Sequence, residues 1–296
     1  MGEVGRSAPR LLAGILVAAM LSAAVCRAAA ADAPVPARIV SLAPSVTETL
    51  FALGAGPEVA GVSQYCDYPP EVQNLPRVGS FLTPNIEAIV ALRPTLIIGL
   101  GLSSDVREIR ALGGLGYPVM MTRGDSLREI EASIAEVGDR IGRAGEARAL
   151  LARINAQVTG VREHLAGARA ERVVMLVGHE PIVAVGAGTY LDDLLKLARA
   201  ENIAEASGEQ WPRLSLEYII AMRPEVILDG QMGSEAATPS HFWDKFTSIP
   251  AVRNHRVLGY GPDPILHPGP RVGTSLEILA AAIHPEAFGK REEAAK

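Results

Sequence analysis

Short apolar runs alternate with amphipathic stretches through the first part of the chain. Runs of four or five apolar and β-branched residues predict strands at 38–42, 59–62, 96–99 and 117–121. Helices are predicted between them, at 45–53 with Ser45 as N-cap, at 85–91 with Asn85 as N-cap, and at 105–112. This alternation indicates βαβ units and a mostly parallel sheet, forming an N-terminal α/β lobe over residues 38–125.

The pattern changes between residues 126 and 168, where no strand-like run occurs. Apolar residues there recur at spacings of three and four, which predicts one helix to about Ile141 and a longer one from about Ala144 to Leu165. A helix of about 20 residues is about 30 Å long, roughly the width of a small domain. We therefore predict a helical segment at 126–168 whose second helix bridges two lobes.

Alternation resumes in the last part of the chain and predicts a C-terminal α/β lobe over residues 170–290. Predicted strands lie at 172–177, 225–228 and 256–260, and predicted helices at 190–198, 216–222 and 273–283. The predicted fold class is therefore α/β, with two similar parallel-sheet lobes joined by one long bridging α-helix.

An internal repeat supports this two-lobed architecture. The segment 85–99 matches 215–228, and Glu87/Glu217, Ala91/Ala221, Arg93/Arg223 and Pro94/Pro224 are each 130 positions apart. Two copies are too few for a solenoid, which needs at least three, but they suit two related lobes. We interpret each copy as a structural unit, in which proline ends the helix and the apolar run enters the sheet.

The N-terminal 30 residues have the pattern of a secretory signal peptide. Basic residues precede the apolar run Leu11–Cys26, and small residues follow it. The run is shorter than the about 20 residues of a membrane-spanning helix. Export to the periplasm is expected, with a lipid anchor at Cys26 as the alternative, which the bulky Val25 disfavours. Cys66 is then a lone cysteine, interpreted as a small buried side chain.

Composition and motifs narrow the range of functions. The 296-residue chain has a formal net charge of −5, is 48% hydrophobic and 21% charged, and is thus an ordinary globular protein with no sign of a nucleic-acid partner. It carries no P-loop, G-x-S-x-G, H-E-x-x-H or C-x-x-C motif, so we nominate no catalytic residue and expect no enzyme. All six histidines lie in the bridging helix or the second lobe, which argues against a metal centre; no cofactor is expected.

Four features carry a family resemblance. These are the segments 63–70, 76–81 and 211–215 and the paired A-x-R-P units. Together they resemble the cobalamin-binding proteins of ABC importers, within the wider class that also binds ferric siderophores and haem. The resemblance covers about residues 38–285. It implies a monomeric receptor that captures a corrinoid between two lobes, delivers it to a membrane permease driven by a cytoplasmic ATPase, and does no chemistry itself.

The resemblance also implies ligand-binding residues in both lobes. In the first lobe these are Tyr65, at the family's corrin-contacting tyrosine, Asp67 in the same loop as Tyr68, Phe81 at a cleft aromatic position, and Leu100. In the second lobe they are Trp211 and the loop residues Asp263, Pro264, Ile265, Leu266 and His267. Leu100, Pro264 and Ile265 stand where the family has aromatic residues, so fewer stacking faces are expected.

Other ligands and another functional class are kept as alternatives. Haem receptors of the class usually offer a tyrosine in the stretch occupied here by Gly79–Phe81, and His267 could ligate iron instead. Ferric siderophores usually meet arginines, for which Arg77, Arg123, Arg213 and Arg271 are available. The alternative from a different class is an exported two-lobed enzyme or a ligand-sensing module.

Docking residues are implied in the same way. Receptors of the family present an acidic residue on each lobe to arginines of the permease. The first-lobe position aligns with the start of the helix predicted at 105–112, where Asp105 and Glu108 flank it, and the second falls at 230–239, where Glu235 is the only acid. Acids are favoured in the first turn of any helix, so Glu235 is the more specific of the three.

Overall fold

The computed structural model describes residues 35–80, 82–101, 107–230, 241–261 and 263–289. Phe81, Asp105 and Glu235 lie outside these ranges, as do Cys26 and the predicted signal peptide. Residues Ala37–Lys296 form a single unit by their internal contacts. The lobe boundaries predicted from the sequence remain a prediction.

The first lobe is built on a parallel sheet with the strand order β2-β1-β3-β4. Its strands are β1 (Ile39–Ser41), β2 (Val59–Val62), β3 (Leu96–Leu100) and β4 (Val119–Thr122), and its helices are α1 (Pro44–Ala52), α2 (Ile86–Ala91) and α3 (Arg107–Gly114). All the predicted elements of this lobe are present. One cap was wrong: the N-cap of α1 is Ala43, two residues before the predicted Ser45, because Pro44 is the first residue of the helix.

Alternate residues of these strands pack on opposite faces of the sheet. Ile39 and Ile98 belong to one buried cluster, whereas Val40 and Ile97 belong to another that also contains residues of α2 and α3. Side chains in a strand alternate between faces, so both faces of a parallel sheet can be covered by helices. The lobe is thus a three-layer α/β unit.

Two consecutive helices lead out of the first lobe, α4 (Leu127–Arg140) and α5 (Ala144–His164). At the start of α5, the Arg143 guanidinium donates to Glu58 of the first lobe at 2.9 Å. Further along, the Gln157 amide lies 3.4 Å from the hydroxyl of Thr274 in the second lobe. The predicted bridging helix is therefore confirmed. No helix within the described ranges is long and apolar enough to cross a membrane.

The second lobe repeats the topology of the first and adds to it. Its strands are β5 (Glu171–His179), β6 (Ile182–Ala184), β7 (Ala200–Asn202), β8 (Val226–Asp229) and β9 (Val257–Gly259), and its helices are α6 (Tyr190–Leu197), α7 (Leu216–Met222), α8 (Pro250–Arg253) and α9 (Val272–Ile283). The parallel strands run β7-β5-β8-β9, and β6 pairs antiparallel with β5. β6, β7 and α8 were missed because elements this short show no periodicity.

The repeated segment has the same backbone in both lobes. The side chains of Asn85 and Ser215 each accept a hydrogen bond from the backbone three residues on, and so cap α2 and α7. Arg93 and Arg223 have φ angles of 48° and 51°, a left-handed conformation that turns each chain from helix to strand. The repeat is thus confirmed as a structural unit.

One hydrophobic core joins the two lobes through the connecting helices. Leu50 of α1, Ile134 of α4, Ile154 of α5 and Leu276 of α9 all belong to the same buried cluster. A large hinge motion would have to break this packing, because close-packed interiors resist deformation. The core therefore limits how far the lobes can separate.

Candidate ligand-binding cleft

The carboxyl ends of the strands from both sheets meet at one contact between the lobes. Strands of a parallel sheet end at the same edge, and ligands of such folds bind outside it. The segment 263–271, which follows β9, crosses to the first lobe and touches α1, which follows β1. A Cβ built on Gly269 would lie 3.1 Å from Ser45, so the two backbones are in close contact. Segments that follow the carboxyl edges of both sheets are thus in direct contact.

A cluster of charged groups around the buried Glu48 holds this contact. We call Glu48, Asp263, His267 and Arg271 the inter-lobe cluster. Glu48, on α1, is 3% exposed and accepts hydrogen bonds from Arg271 at 2.7 and 2.8 Å. Arg271 also donates to both carboxylate oxygens of Asp263. Burial by itself lowers the pKa of Arg271, but the bonds to Glu48 and Asp263 outweigh it and raise that pKa above its ordinary value.

The inter-lobe cluster also contains the atoms of a potential metal site. Glu48, Asp263 and His267 offer one ligand atom each, all within 4.8 Å of one another. However, Arg271 already bonds both carboxylates, so a cation would have to displace a guanidinium. From the sequence, a metal centre was not expected because the first lobe has no histidine. In the structure the first lobe contributes a carboxylate instead, that of Glu48, and the feature that opposes a metal is the bonded Arg271.

Loops of both lobes carry exposed aromatic rings. Tyr65 and Tyr68 follow β2 and are 51% and 46% exposed, and Trp211 of the second lobe is 46% exposed. By contrast, Trp243 is 1% and Tyr260 is 8% exposed. Aromatic side chains left partly exposed are typical of binding surfaces, because they offer large, rigid contact areas. The Arg271 guanidinium lies 4.1 Å from the centre of the Tyr68 ring, which covers one of its faces.

Cys66 anchors the loop that carries Tyr65 and Tyr68, which we call the tyrosine loop. Its Sγ lies 3.1 Å from the hydroxyl of Thr47 and 3.2 Å from that of Ser63, and Arg77 donates to its carbonyl. Burial raises the pKa of the Cys66 thiol, with the neighbouring hydroxyl bonds opposing that rise. As predicted, Cys66 is a small buried side chain, and it leaves Tyr65 and Tyr68 facing outward.

The second-lobe loop is anchored through its backbone. Ile265 is 2% exposed and lies in the core, while its carbonyl accepts a bond from the Tyr190 hydroxyl at 2.8 Å. Burial, with smaller effects from Tyr260 and Glu48, raises the pKa of Tyr190 well above its usual value. The loop is therefore held in place by a neutral phenol.

The predicted ligand-binding residues differ in accessibility. Asp67, Asp263 and Trp211 are exposed, and Pro264, Leu266, His267 and Leu100 are half-buried. Leu100 and Leu266 pack against the hydrophobic core, and Ile265 is part of that core. The side chain of Ile265 can reach a ligand only if the loop moves. The ligand-binding role of all these residues remains a prediction.

Two further polar residues at the second-lobe edge were not nominated from the sequence. His179, at the end of β5, bonds Asp229, at the end of the neighbouring strand β8, and stacks on Phe242 at 5.6 Å. Asp229 is 4% exposed. Both residues lie just beyond predicted strands, which was the available signal. Glu48 was missed because an acid within an amphipathic helix is ordinarily solvated.

Comparison with known proteins identifies the family of this chain. Residues 39–264 match the model of the periplasmic binding protein family. The chain belongs to this family. It is 29% identical over 260 residues to an uncharacterized ABC transporter substrate-binding lipoprotein, YvrC, of Bacillus subtilis (strain 168), covering 86% of this chain and 82% of that protein.

Solved structures agree with this assignment. The periplasmic vitamin B12 binding protein BtuF of Vibrio cholerae is similar with a TM-score of 0.75 and 27% identity, over 86% of this chain and 99% of that one. The periplasmic heme-binding protein RhuT from Roseiflexus sp. RS-1, in its apo form, is similar with a TM-score of 0.75 and 29% identity, over 84% and 98%. The predicted fold and the predicted class of substrate-binding protein are confirmed.

Proposed function

We propose that this periplasmic binding protein captures a corrinoid between its lobes and delivers it to the permease of an ABC importer. The observations that carry the proposal are the exposed rings Tyr65, Tyr68 and Trp211, which come from both lobes, and the stacking of Tyr68 on Arg271 of the second lobe. Flat, rigid side chains match a flat macrocycle at a low cost in conformational entropy. The similarity to BtuF supports the same ligand class.

A calorimetric panel tests the ligand directly. The purified protein is titrated with cyanocobalamin, haemin and a ferric siderophore under one set of conditions. The proposal expects one-to-one binding of cyanocobalamin, and binding of haemin or the siderophore alone would refute it. Ligand recovered from the complex should be chemically unchanged, because the protein is proposed to bind without turnover and without a resident cofactor.

Haem is a second candidate, favoured by the geometry of His267. Its Nδ1 lies 2.9 Å from a Glu48 carboxylate oxygen. Since a carboxylate only accepts, Nδ1 donates, and the lone pair of Nε2 is left available. A histidine oriented in this way by a carboxylate is a common metal ligand. If haem is the ligand, the Soret band of the haemin complex should shift on His267→Ala, and an unchanged spectrum excludes His267 as an axial ligand.

Ferric siderophores receive less support from the described arginines. Arg77 bonds the tyrosine loop, Arg123 pairs with Glu129 at 3.1 Å, and Arg271 is bonded in the inter-lobe cluster. Their charges are already compensated or committed to the fold. Of the four arginines kept for this alternative, only the exposed Arg213 makes no side-chain hydrogen bond or ion pair among the described residues.

Export and docking complete the proposal. Residues 1–30 are proposed to be a signal peptide removed in the periplasm, with lipidation of Cys26 as the alternative; N-terminal sequencing of the exported protein distinguishes the two.

Permease docking is proposed through Asp105, Glu108 and Glu235. Glu235→Lys should abolish uptake while leaving ligand affinity in solution unchanged, because charge pairs at transient interfaces set encounter and orientation. Intact uptake would contradict this assignment.

A further inference from the structure

A cavity of about 280 Å³ opens at the amino-terminal edge of the second sheet, opposite to the ligand cleft. Its walls come from the starts of β5 and β9, the turn before β8, and α8. Five arginines line it: Arg169, Arg172, Arg223, Arg253 and Arg256. Two glutamates, Glu171 and Glu225, are the acids in its lining. We call it the arginine-lined cavity.

The two glutamates already pair with three of these arginines, Arg169, Arg172 and Arg256. Arg169 lies 3.1 Å from Glu171 and 3.2 Å from Glu225, and Arg172 lies 3.8 Å from Glu225. Burial raises the pKa of Glu225, but the bond from the Arg172 backbone and the nearby arginine charges outweigh it and lower that pKa overall. Both carboxylates therefore serve as counter-charges within the lining.

Arg256 has a further structural task. It donates to the carbonyls of Ala282 and Ile283, at the C-terminal end of α9, at 3.3 and 2.6 Å. Those carbonyls lack partners within the helix, so a cation there stabilises the helix end. The distance from Arg256 to Glu171 is 3.9 Å.

Arg223 and Arg253 remain without a partner. Neither guanidinium makes a hydrogen bond or an ion pair with any residue in the part of the chain that the structure describes, and both side chains are exposed at the cavity rim. The lining therefore has a formal net charge of +3, from five arginines and two glutamates, and two of these arginines have no acidic partner among the described residues. This occurs in a chain whose formal net charge is −5.

The internal repeat separates what is scaffold from what is added. In the first lobe, Arg38 donates to the carbonyl of Leu92 at 2.8 Å, as Arg172 donates to that of Arg223 at 3.2 Å. Thr95 stands at the position equivalent to Glu225 and accepts from the Arg38 backbone. The scaffold thus accounts for Arg172 and for the backbone of Arg223. It does not account for Arg253, for which the repeat has no counterpart.

We propose that the arginine-lined cavity binds a phosphate group carrying two negative charges. Guanidinium groups bind tetrahedral oxyanions through paired N–H donors. At neutral pH a phosphate monoester carries a charge of about −1.5 to −2, and inorganic phosphate is a mixture of its monoanion and dianion, so the two unpaired arginines can neutralise either one. The group is held at the edge of the sheet opposite to the cleft, so the site is independent of the transported ligand.

Equilibrium dialysis with radiolabelled inorganic phosphate, in a low-salt buffer free of other oxyanions, tests the proposal. We expect one saturable site per chain. Arg253→Gln should weaken it at least about tenfold, because the variant loses a charged hydrogen-bond donor, and charge-assisted hydrogen bonds to phosphate are stronger than neutral ones. Arg93→Gln is the matched control, since Arg93 occupies the repeat position of Arg223 in the first lobe, and it should leave phosphate affinity unchanged.

The source of the phosphate is distinguished by a parallel measurement. Vesicles of phosphatidylcholine with and without phosphatidic acid are co-sedimented with the protein and with Arg253→Gln. Binding to phosphatidic acid vesicles that is lost in the variant assigns the site to a lipid headgroup, and binding of free phosphate alone assigns it to a soluble anion. Absence of saturable phosphate binding in both assays, or equal weakening by Arg93→Gln, overturns the proposal. Trp211→Ala should not alter phosphate binding, which separates this site from the cleft.

Discussion

The two lobes share one scaffold and differ at both of its edges. The strand order β2-β1-β3-β4 is repeated as β7-β5-β8-β9, and the capped helix, the left-handed arginine and the following strand occur in both. At the carboxyl edge, the first lobe supplies Glu48 and two exposed tyrosines, whereas the second supplies a loop that crosses to meet them. At the amino edge, the second lobe has the arginine-lined cavity, whereas in the first lobe Thr95 stands at the position of the cavity's Glu225. A duplicated scaffold thus conserves backbone geometry and leaves the edges free to acquire different functions.

The largest expected effect tests whether charge or apolar packing joins the lobes. Glu48→Gln leaves the partly buried Arg271 with one carboxylate fewer, and removing one partner of a buried ion pair costs about 3 kcal/mol. We expect the free energy of unfolding in urea to fall by about that amount. Glu87→Gln, at an exposed position in α2, is the control and should change stability by less than about 0.5 kcal/mol. Equal stability of the two variants would show that the shared core alone holds the lobes together.

The second prediction asks which lobe contributes more to ligand binding. Tyr65→Ala and Trp211→Ala each remove an exposed ring from one side of the cleft. Each should weaken cyanocobalamin binding by about 30-fold, the equivalent of about 2 kcal/mol for an interface anchor. Leu115→Ala, an exposed apolar side chain away from the cleft, is the control. If only one of the two ring variants loses affinity in calorimetry, the ligand is held by one lobe.

A smaller effect measures how equivalent the two copies of the repeat are. Asn85→Ala and Ser215→Ala each remove the side-chain cap of one helix, α2 or α7. Loss of such a cap typically costs about 1 kcal/mol. We expect the two variants to lose similar amounts of unfolding free energy in urea. A difference above about 1 kcal/mol would mean that the lobes bear unequal shares of the stability despite their common backbone.

The last prediction concerns the reactivity of the Cys66 thiol, which reports on local packing in the first lobe. Cys66 is 0% exposed, and burial raises the pKa of its thiol. A raised pKa lowers the thiolate fraction at any given pH, so the native protein should react with Ellman's reagent at pH 8 far more slowly than the urea-unfolded protein. This neutral-thiol preference stabilises the fold below the pKa of the unfolded thiol, and it is lost as the pH rises through the folded value. Rapid reaction of the native protein would place the thiol near the surface.

Glu48→Gln should also accelerate this reaction if the inter-lobe cluster restrains α1. Thr47, which is next to Glu48 in the chain, bonds the thiol at 3.1 Å. An unchanged rate in that variant would show that the tyrosine loop is held independently of the lobe contact.

Much of the fold follows from local pattern. The predicted helices and strands of the described chain were found, and the 130-residue offset of the repeat correctly indicated two related lobes. The missed elements, β6, β7 and α8, have three or four residues each. Such short segments are stabilised by their neighbours in space, and their own sequences show no period. β6, for example, is extended because it pairs with the end of β5.

The candidate site was only partly predictable. Tyr65, Trp211 and the 263–267 loop were nominated through a family resemblance, whereas Glu48 and the His179–Asp229 pair were not. Glu48 bonds Arg271, which lies 223 residues away in the chain, and His179 bonds Asp229, which lies 50 residues away. Nothing local distinguishes Glu48 from an ordinary solvated acid of an amphipathic helix.

Sequence alone determined the elements, the two lobes and the bridging helix, because periodicity, caps and prolines act over a few residues. Tertiary structure decided which charges met. The segment 263–271 carries Asp263, His267 and Arg271 to α1 only because the shared core docks the two lobes at their carboxyl edges. Arg223 and Arg253 lie at the opposite edge, without side-chain partners among the described residues. Long-range electrostatic pairing depends on distances in space that no local pattern encodes.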